Sequence, residues 1–275
     1  MPQPGGEVSH IEVPTQQPKG KSLALITGPL FGLSEWVANI LAAHRSVEAI
    51  QGIARTGLPY ARNDSVGHSF YLPLPSGSRL GRFPLRSAEQ EPASEFAVSF
   101  IADPLALFVA RELTLYYDFK ILLLRQPLLE IAKRLCDLHV RIHGFCLASE
   151  LKQFSCFDEI GAVERVLQHP PLRLEQHIAA YVAIMSELMD MLSTEPGVLA
   201  INTSTVRQSP LPVFGSILEF FDLQLDSKFE HQVNAQTELD PALEQRKQEE
   251  HAYAWPADRE DGVRRALSRY FAGDF

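Results

Sequence analysis

Residues 119–124 read FKILLL, an apolar run broken by one lysine. Six residues is strand length, and a strand that is apolar along almost its whole length has both faces buried. Such a strand belongs in a parallel sheet covered by helices on both sides. Three further runs of strand length fit the same sheet: 22–27 (SLALIT), 96–101 (FAVSFI) and 197–201 (GVLAI). Helical spacing lies between and after them. In 34–44 it runs through Trp36, Val37, Ile40 and Leu41, with Ser34 as the expected N-cap and Glu35 in the first turn, where a carboxylate suits the helix dipole. Residues 105–117 repeat the spacing through Leu105, Phe108, Val109, Leu113 and Tyr116, and 128–140 continue it after the break at RQP. Residues 174–192 place Leu174, Ile178, Tyr181, Val182, Met185, Leu188, Met189 and Leu192 on one face. Helices are also expected at 214–221 and 259–271. The order strand, helix, strand, helix over 96–140 is the unit of a parallel sheet. The expected class is α/β, a central parallel sheet flanked by helices.

The chain of 275 residues is ample for a substantial core, and its 45 % hydrophobic and 21 % charged residues mark a globular protein. The expected organisation is a mobile N-terminal tail over 1–20, an α/β domain over 21–231, and a polar, loosely held C-terminal segment with a terminal helix over 232–275. A formal charge of −9 gives no general attraction to nucleic acid or anionic membrane. No apolar run reaches the roughly 18 residues of a membrane span. The N-terminus lacks the apolar core of a secretory signal. Three cysteines, an odd number, fit a reducing compartment, so cytoplasm is expected. Residues 57–95, rich in Pro, Gly, Ser and Arg, read as a long surface excursion over a site.

Chemistry-bearing residues collect at three places. The first is the turn GPLFGLSEW after the first strand, containing Gly28, Gly32, Ser34 and Glu35. A strand, a glycine turn and a helix form the frame of a phosphate loop, which holds anions with backbone N–H groups at a helix N-terminus. The same residues also fit a plain strand-to-helix turn capped by Ser34, or a site for a different ligand. The second is Arg125, at the carboxyl end of FKILLL, where open α/β sheets place ligands. It could equally pair with a carboxylate such as Asp103. The third is CDLHVRIHGFC, where Cys136, His139, His143 and Cys146 are spaced 3, 4 and 3. A continuous helix would align them, but its ends would be about 15 Å apart. At most His139 and His143 could share a metal, Gly144 could end the helix before Cys146, and small buried cysteines are the commoner explanation. No metal is assigned.

Three segments together resemble the sulfotransferase family, whose fold is similar to that of the nucleotide kinases. ITGPLFGLSEWVANILAAHRSVEAI is similar to the family's opening donor-loop pattern. FIADPLALFVARELTLYYDFKILLLRQPLLEIAKRL is similar to a bacterial pattern in which a D-P-L-A-L-F motif precedes a strand ending in arginine. GVLAINTSTV with VFGSILEFFDLQLD stands where the family has a strand and then a helix ending in F-L-G-L. The resemblance spans about residues 22–225. It implies a P-loop-NTPase-like fold and use of 3′-phosphoadenosine 5′-phosphosulfate (PAPS) as co-substrate. A sulfuryl group would pass to the hydroxyl or amine of a small-molecule or glycan acceptor. Gly28, Gly32 and Ser34 would hold the phosphosulfate, and Arg125 and Lys133 the 3′-phosphate. Asp103 and His68 are the catalytic candidates. His68 is a histidine in the excursion, and sulfuryl transfer needs a base for the acceptor proton. Asp103 also fits helix capping before Pro104.

The chain departs from the family pattern where charge matters. Phe31 stands in place of a basic residue, Leu33 of a glycine, Ser34 and Glu35 of two hydroxyl residues, and Ala102 of a lysine. Lys133 replaces a serine and could bind phosphate as a point charge. Losing a charge-assisted bond typically costs about 1.5–3 kcal/mol. Two alternatives therefore stand beside the transferase: a binding or scaffold protein that keeps the fold without the donor site, or an enzyme repurposed around Glu35.

Overall fold

A computed structural model describes residues 22–29, 33–50, 97–102, 104–108, 110–111, 119–137, 142–152, 157–238 and 257–271. Its centre is a five-stranded sheet of β1 (Ser22–Thr27), β2 (Val47–Ile50), β3 (Val98–Ala102), β4 (Phe119–Arg125) and β5 (Val198–Asn202). The spatial order is β2-β3-β1-β4-β5, and every pairing is parallel. Four of the strands match the apolar runs of the sequence to within two residues. The fifth, β2, is only four residues long, includes Glu48 and lies at an edge. A strand that short carries no period to detect.

Helices cover both faces, because side chains alternate along each strand. Ile121 and Leu123 of β4, with Leu25 of β1, join the core beneath α2 (Leu128–Asp137), α3 (Gly144–Leu151), α4 (Gly161–Gln168) and α5 (Leu174–Ser193). Leu122, Leu124, Ala24 and Ile26 point to the opposite core. There they meet α1 (Ser34–Leu41), α7 (Pro210–Phe220) and α8 (Ser227–Glu238). The short α6 (Thr203–Gln208) leads from β5 into α7. The second core is tied by edge-to-face rings: Trp36 to Phe214 at 5.9 Å, Phe214 to Phe229 at 6.1 Å, and His44 to Phe229 at 5.4 Å. Buried His44 accepts the Ser46 N–H at Nδ1 (3.2 Å), so its Nε2 donates to the Gln224 carbonyl (3.1 Å).

The lysine that interrupts FKILLL has a structural task. Lys120 Nζ donates to the Phe220 carbonyl at 2.7 Å and pairs with Asp222, at the C-terminal end of α7. A cation there meets the negative end of the helix dipole. Asp222 itself adopts the left-handed region at φ 58°, closing the helix as the Leu223 N–H bonds back to the Leu218 carbonyl at 2.8 Å.

Several expectations are corrected. Ser34 does not cap α1: Leu33 occupies that position without a side-chain bond, and Ser34 is the first helical residue. Leu33 is buried against the sheet, so apolar packing decides where the turn closes. Of the helix expected at 105–117, the described part opens as a 3-10 turn, Pro104–Phe108, and is α-helical at 110–111, with Ala106, Leu107 and Ala110 buried in the core. The run through 136–146 is not one helix: α2 ends at Asp137 and Gly144 begins α3. A Cβ on Gly144 would lie 2.8 Å from both Ala180 Cβ and the His177 carbonyl, so glycine lets α3 approach α5. Cys136 is buried in α2 and Cys146 half-buried in α3.

The C-terminal helix is not loosely held. α8 crosses the expected 231/232 border, and α9 (Ala257–Ser268) docks on α2 and α5. Val263, Leu267 and Tyr270 are fully buried in the main core. The Tyr270 hydroxyl donates to the His169 carbonyl at 3.0 Å, and Arg165 Nε donates to the Tyr270 carbonyl at 2.6 Å. Leu267→Ala should therefore lower the unfolding free energy by about 2–5 kcal/mol. Urea denaturation followed by fluorescence should still show one cooperative transition. A loss below about 0.5 kcal/mol, the range of surface substitutions, would mean that α9 is not part of the core.

Candidate functional site

Chain connectivity selects one end of the sheet. The connection out of β1 passes through α1 on one face, whereas those out of β3 and β4 pass through the other core. In an open parallel sheet, the crevice lies at the carboxyl ends of strands whose connections leave in opposite directions. Here that place is the carboxyl end of β1, between β3 and β4. The register puts Thr27 beside Leu123 and Arg125 beside Asn202, so β1 ends just short of β4.

Gly28 sits at this crevice against β4. A Cβ there would be 2.5 Å from the Leu124 carbonyl oxygen and 3.2 Å from Leu124 Cβ. Only glycine allows so close an approach of two backbones. The turn after β1 is thereby held one residue away from Arg125. Ser34, in the first turn of α1, is buried.

Alternation along β4 places Arg125 on the face of α2 and α5. Its guanidinium pairs with Asp190, near the end of α5, with the two side chains 34 % and 58 % exposed. Lys133 lies on α2, on the same face. Its Nζ is 2.5 Å from Glu260 Oε2, and Glu260 is carried by α9. Glu260 Oε1 accepts from Arg264 Nη2 at 2.8 Å and Nε at 3.1 Å. The bond from Lys133, and then that from Arg264, hold the Glu260 carboxyl below the ordinary carboxylate range against a smaller opposing effect of burial.

Gly28 and Arg125 thus lie at the carboxyl ends of neighbouring β1 and β4, Ser34 opens α1 beyond the turn, and Lys133 shares Arg125's face of the sheet. Both cations carry a carboxylate partner. For Arg125 that partner is Asp190, whereas Asp103 was the example from sequence. Asp103, His68, Gly32 and Phe31 lie outside the described residues. Ala102 ends β3 half-buried and brings no cation. Asp190 and Glu260 were missed by sequence reasoning. They lie 65 and 127 residues from their partners, and no local pattern signals such a pair. Among the described residues, no group of three or more His, Cys, Asp or Glu side chains could hold a metal ion. No helix of the described residues is long and apolar enough to cross a membrane.

Two solved structures of sulfotransferases match the chain. A solved sulfotransferase from Alicyclobacillus acidocaldarius matches with TM-score 0.40 and 15 % identity, covering 78 % of this chain and 90 % of that one. The sulfotransferase domain from the curacin biosynthetic pathway matches with TM-score 0.39 and 11 % identity, covering 76 % of each chain. No family model and no curated protein matches the sequence.

Two outcomes follow from the geometry. Gly28→Ala should cost about 1–3 kcal/mol, the usual range for overpacking a tight site, measured by urea denaturation; an unchanged midpoint would refute the close approach. The depressed Glu260 carboxyl stabilises the fold above its unfolded-state range, and that contribution is lost as pH falls through its folded value. Between neutral and strongly acidic pH, Glu260→Gln should therefore lose less thermal stability than the wild type.

Proposed function

We propose that the carboxyl end of β1 and β4 is a nucleotide site for PAPS and that the protein is a sulfotransferase. The observation that carries this reading is the placement of Arg125 one residue beyond the point where Gly28 meets Leu124. A phosphate-binding turn and a strand-end arginine then serve one crevice. Arg125 and Lys133 would hold the 3′-phosphate, and backbone N–H groups of the turn from Gly28 to Ser34 would face the phosphosulfate.

In the transfer, an acceptor oxygen or nitrogen attacks the sulfur in line. The bond from sulfur to the phosphate oxygen breaks, 3′-phosphoadenosine 5′-phosphate leaves, and the acceptor proton passes to a base. His68 and Asp103 remain the candidates for that base. Positioning and charge stabilisation would supply most of the acceleration.

A second reading, a binding or scaffold protein without transfer activity, is favoured by one set of observations. Phe31, Glu35 and Ala102 deprive the site of cations, and Arg125 and Lys133 already carry carboxylate partners.

Isothermal calorimetry with 3′-phosphoadenosine 5′-phosphate separates the readings. The transferase reading expects micromolar binding, weakened about tenfold or more in Arg125→Ala, since a charge-assisted bond is worth about 1.5–3 kcal/mol. Absence of binding at millimolar nucleotide sinks it. Nucleotide binding without sulfuryl transfer to any of a panel of hydroxyl and amine acceptors favours the binding protein.

A further inference from the structure

We propose that Asp190 and Glu260 are built-in competitors for the anion site: in the ligand-free protein they occupy Arg125 and Lys133, and a bound phosphate takes their place. This rests on the reading of those two cations as a phosphate site. Four separate elements contribute. β4 and α2 supply the cations, and α5 and α9 supply the carboxylates, all on one face of the sheet. Each of the two cations already carries a carboxylate partner. A phosphate dianion can pair with both cations only when the carboxylates let go.

Neither carboxylate is stranded by letting go. Asp190 is more than half exposed, so water replaces its partner. Glu260 keeps Arg264 on its other oxygen when Lys133 leaves. The Arg125–Asp190 pair is exposed and such pairs are weak, whereas a doubly charged phosphate offers Arg125 a bidentate partner; the Lys133–Glu260 pair is half-buried. The exchange also needs no backbone motion. α9 stays docked through buried Val263, Leu267 and Tyr270, and only side chains turn. The terminal helix thus both completes the core and sets the threshold for anion binding.

The test compares wild type with Asp190→Asn, Glu260→Gln and the double variant. Each is titrated with 3′-phosphoadenosine 5′-phosphate by calorimetry and with inorganic pyrophosphate by thermal shift. Glu164→Gln, which neutralises the partner of Lys152 on α4, controls for overall charge. Each site variant should bind both ligands about two- to fivefold more tightly, the range expected on removing an exposed competing pair. The double variant should exceed either, and Glu164→Gln should match the wild type.

Nucleotide binding of equal strength in wild type and all variants overturns this inference and leaves the nucleotide reading standing. Tighter pyrophosphate binding in the site variants, with no nucleotide binding anywhere, supports the competitor role and overturns the nucleotide reading. No gain for either ligand, or the same gain in Glu164→Gln, overturns the inference. If Glu260→Gln fails to fold, exposed Asp190→Asn decides between these outcomes.

Discussion

The parallel pairing of β1 with β4 is the constraint on which the rest of the structure depends. Leu23 to Thr27 lie against Phe119 to Leu123, and the two strands fill the centre of the sheet. Ile26 and the four residues from Ile121 to Leu124 are fully buried, because helices close over both faces. The same pairing ends with the turn after β1 against the Leu124 carbonyl. That contact excludes a side chain at Gly28 and brings the turn beside Arg125. The contact that seats this turn is thus continuous with the core.

The two faces of the sheet carry different responsibilities. One core, built on α1, α7 and α8, is stitched by aromatic rings and by the His44 bridge between the end of α1 and the segment leading to α8. The other, built on α2 to α5 and closed by α9, carries the pairs of Arg125 and Lys133. The Arg165–Glu187 pair belongs to this second face, where Glu187 also accepts the Ala162 N–H at 2.8 Å. Charge at the rim of an apolar core is tolerated when every group finds a partner. The cations of the candidate site obey that rule, which is why they are not bare in the ligand-free protein.

Legibility from sequence varied with how local the cause was. The apolar runs at 22–27 and 119–124 announced β1 and β4 because burial on both faces leaves an uninterrupted signature. The expected face of α5, from Ile178 to Leu192, is buried, but so are Ala179, Ala180, Ala183, Ile184 and Ser186, because α2, α3, α4 and α9 pack around the helix. β2 has four residues and no room for a period to repeat. The break between α2 and α3 was hidden because the spacing through Cys136, His139, His143 and Cys146 fits a helix, while Gly144 is set by its approach to α5. Within the candidate site, Gly28 and Arg125 were visible as a turn glycine and a strand-end arginine. Their carboxylate partners were not, since a residue's charge does not reveal which distant element will carry its counterpart.

By itself the sequence determined the α/β class and its parallel sheet, because the alternation and length of apolar runs decide which segments can be buried. It also determined that positions 31 and 102 bring no positive charge, since no fold can turn Phe31 or Ala102 into a cation. The tertiary structure decided what the retained cations do. Arg125 meets Asp190 and Lys133 meets Glu260 only because α5 and α9 pack over the same face of the sheet as α2. It also decided that the polar C-terminal stretch ends in a core helix. Three buried residues, Val263, Leu267 and Tyr270, suffice for that once a matching surface exists, and a surface is a property of the assembled fold.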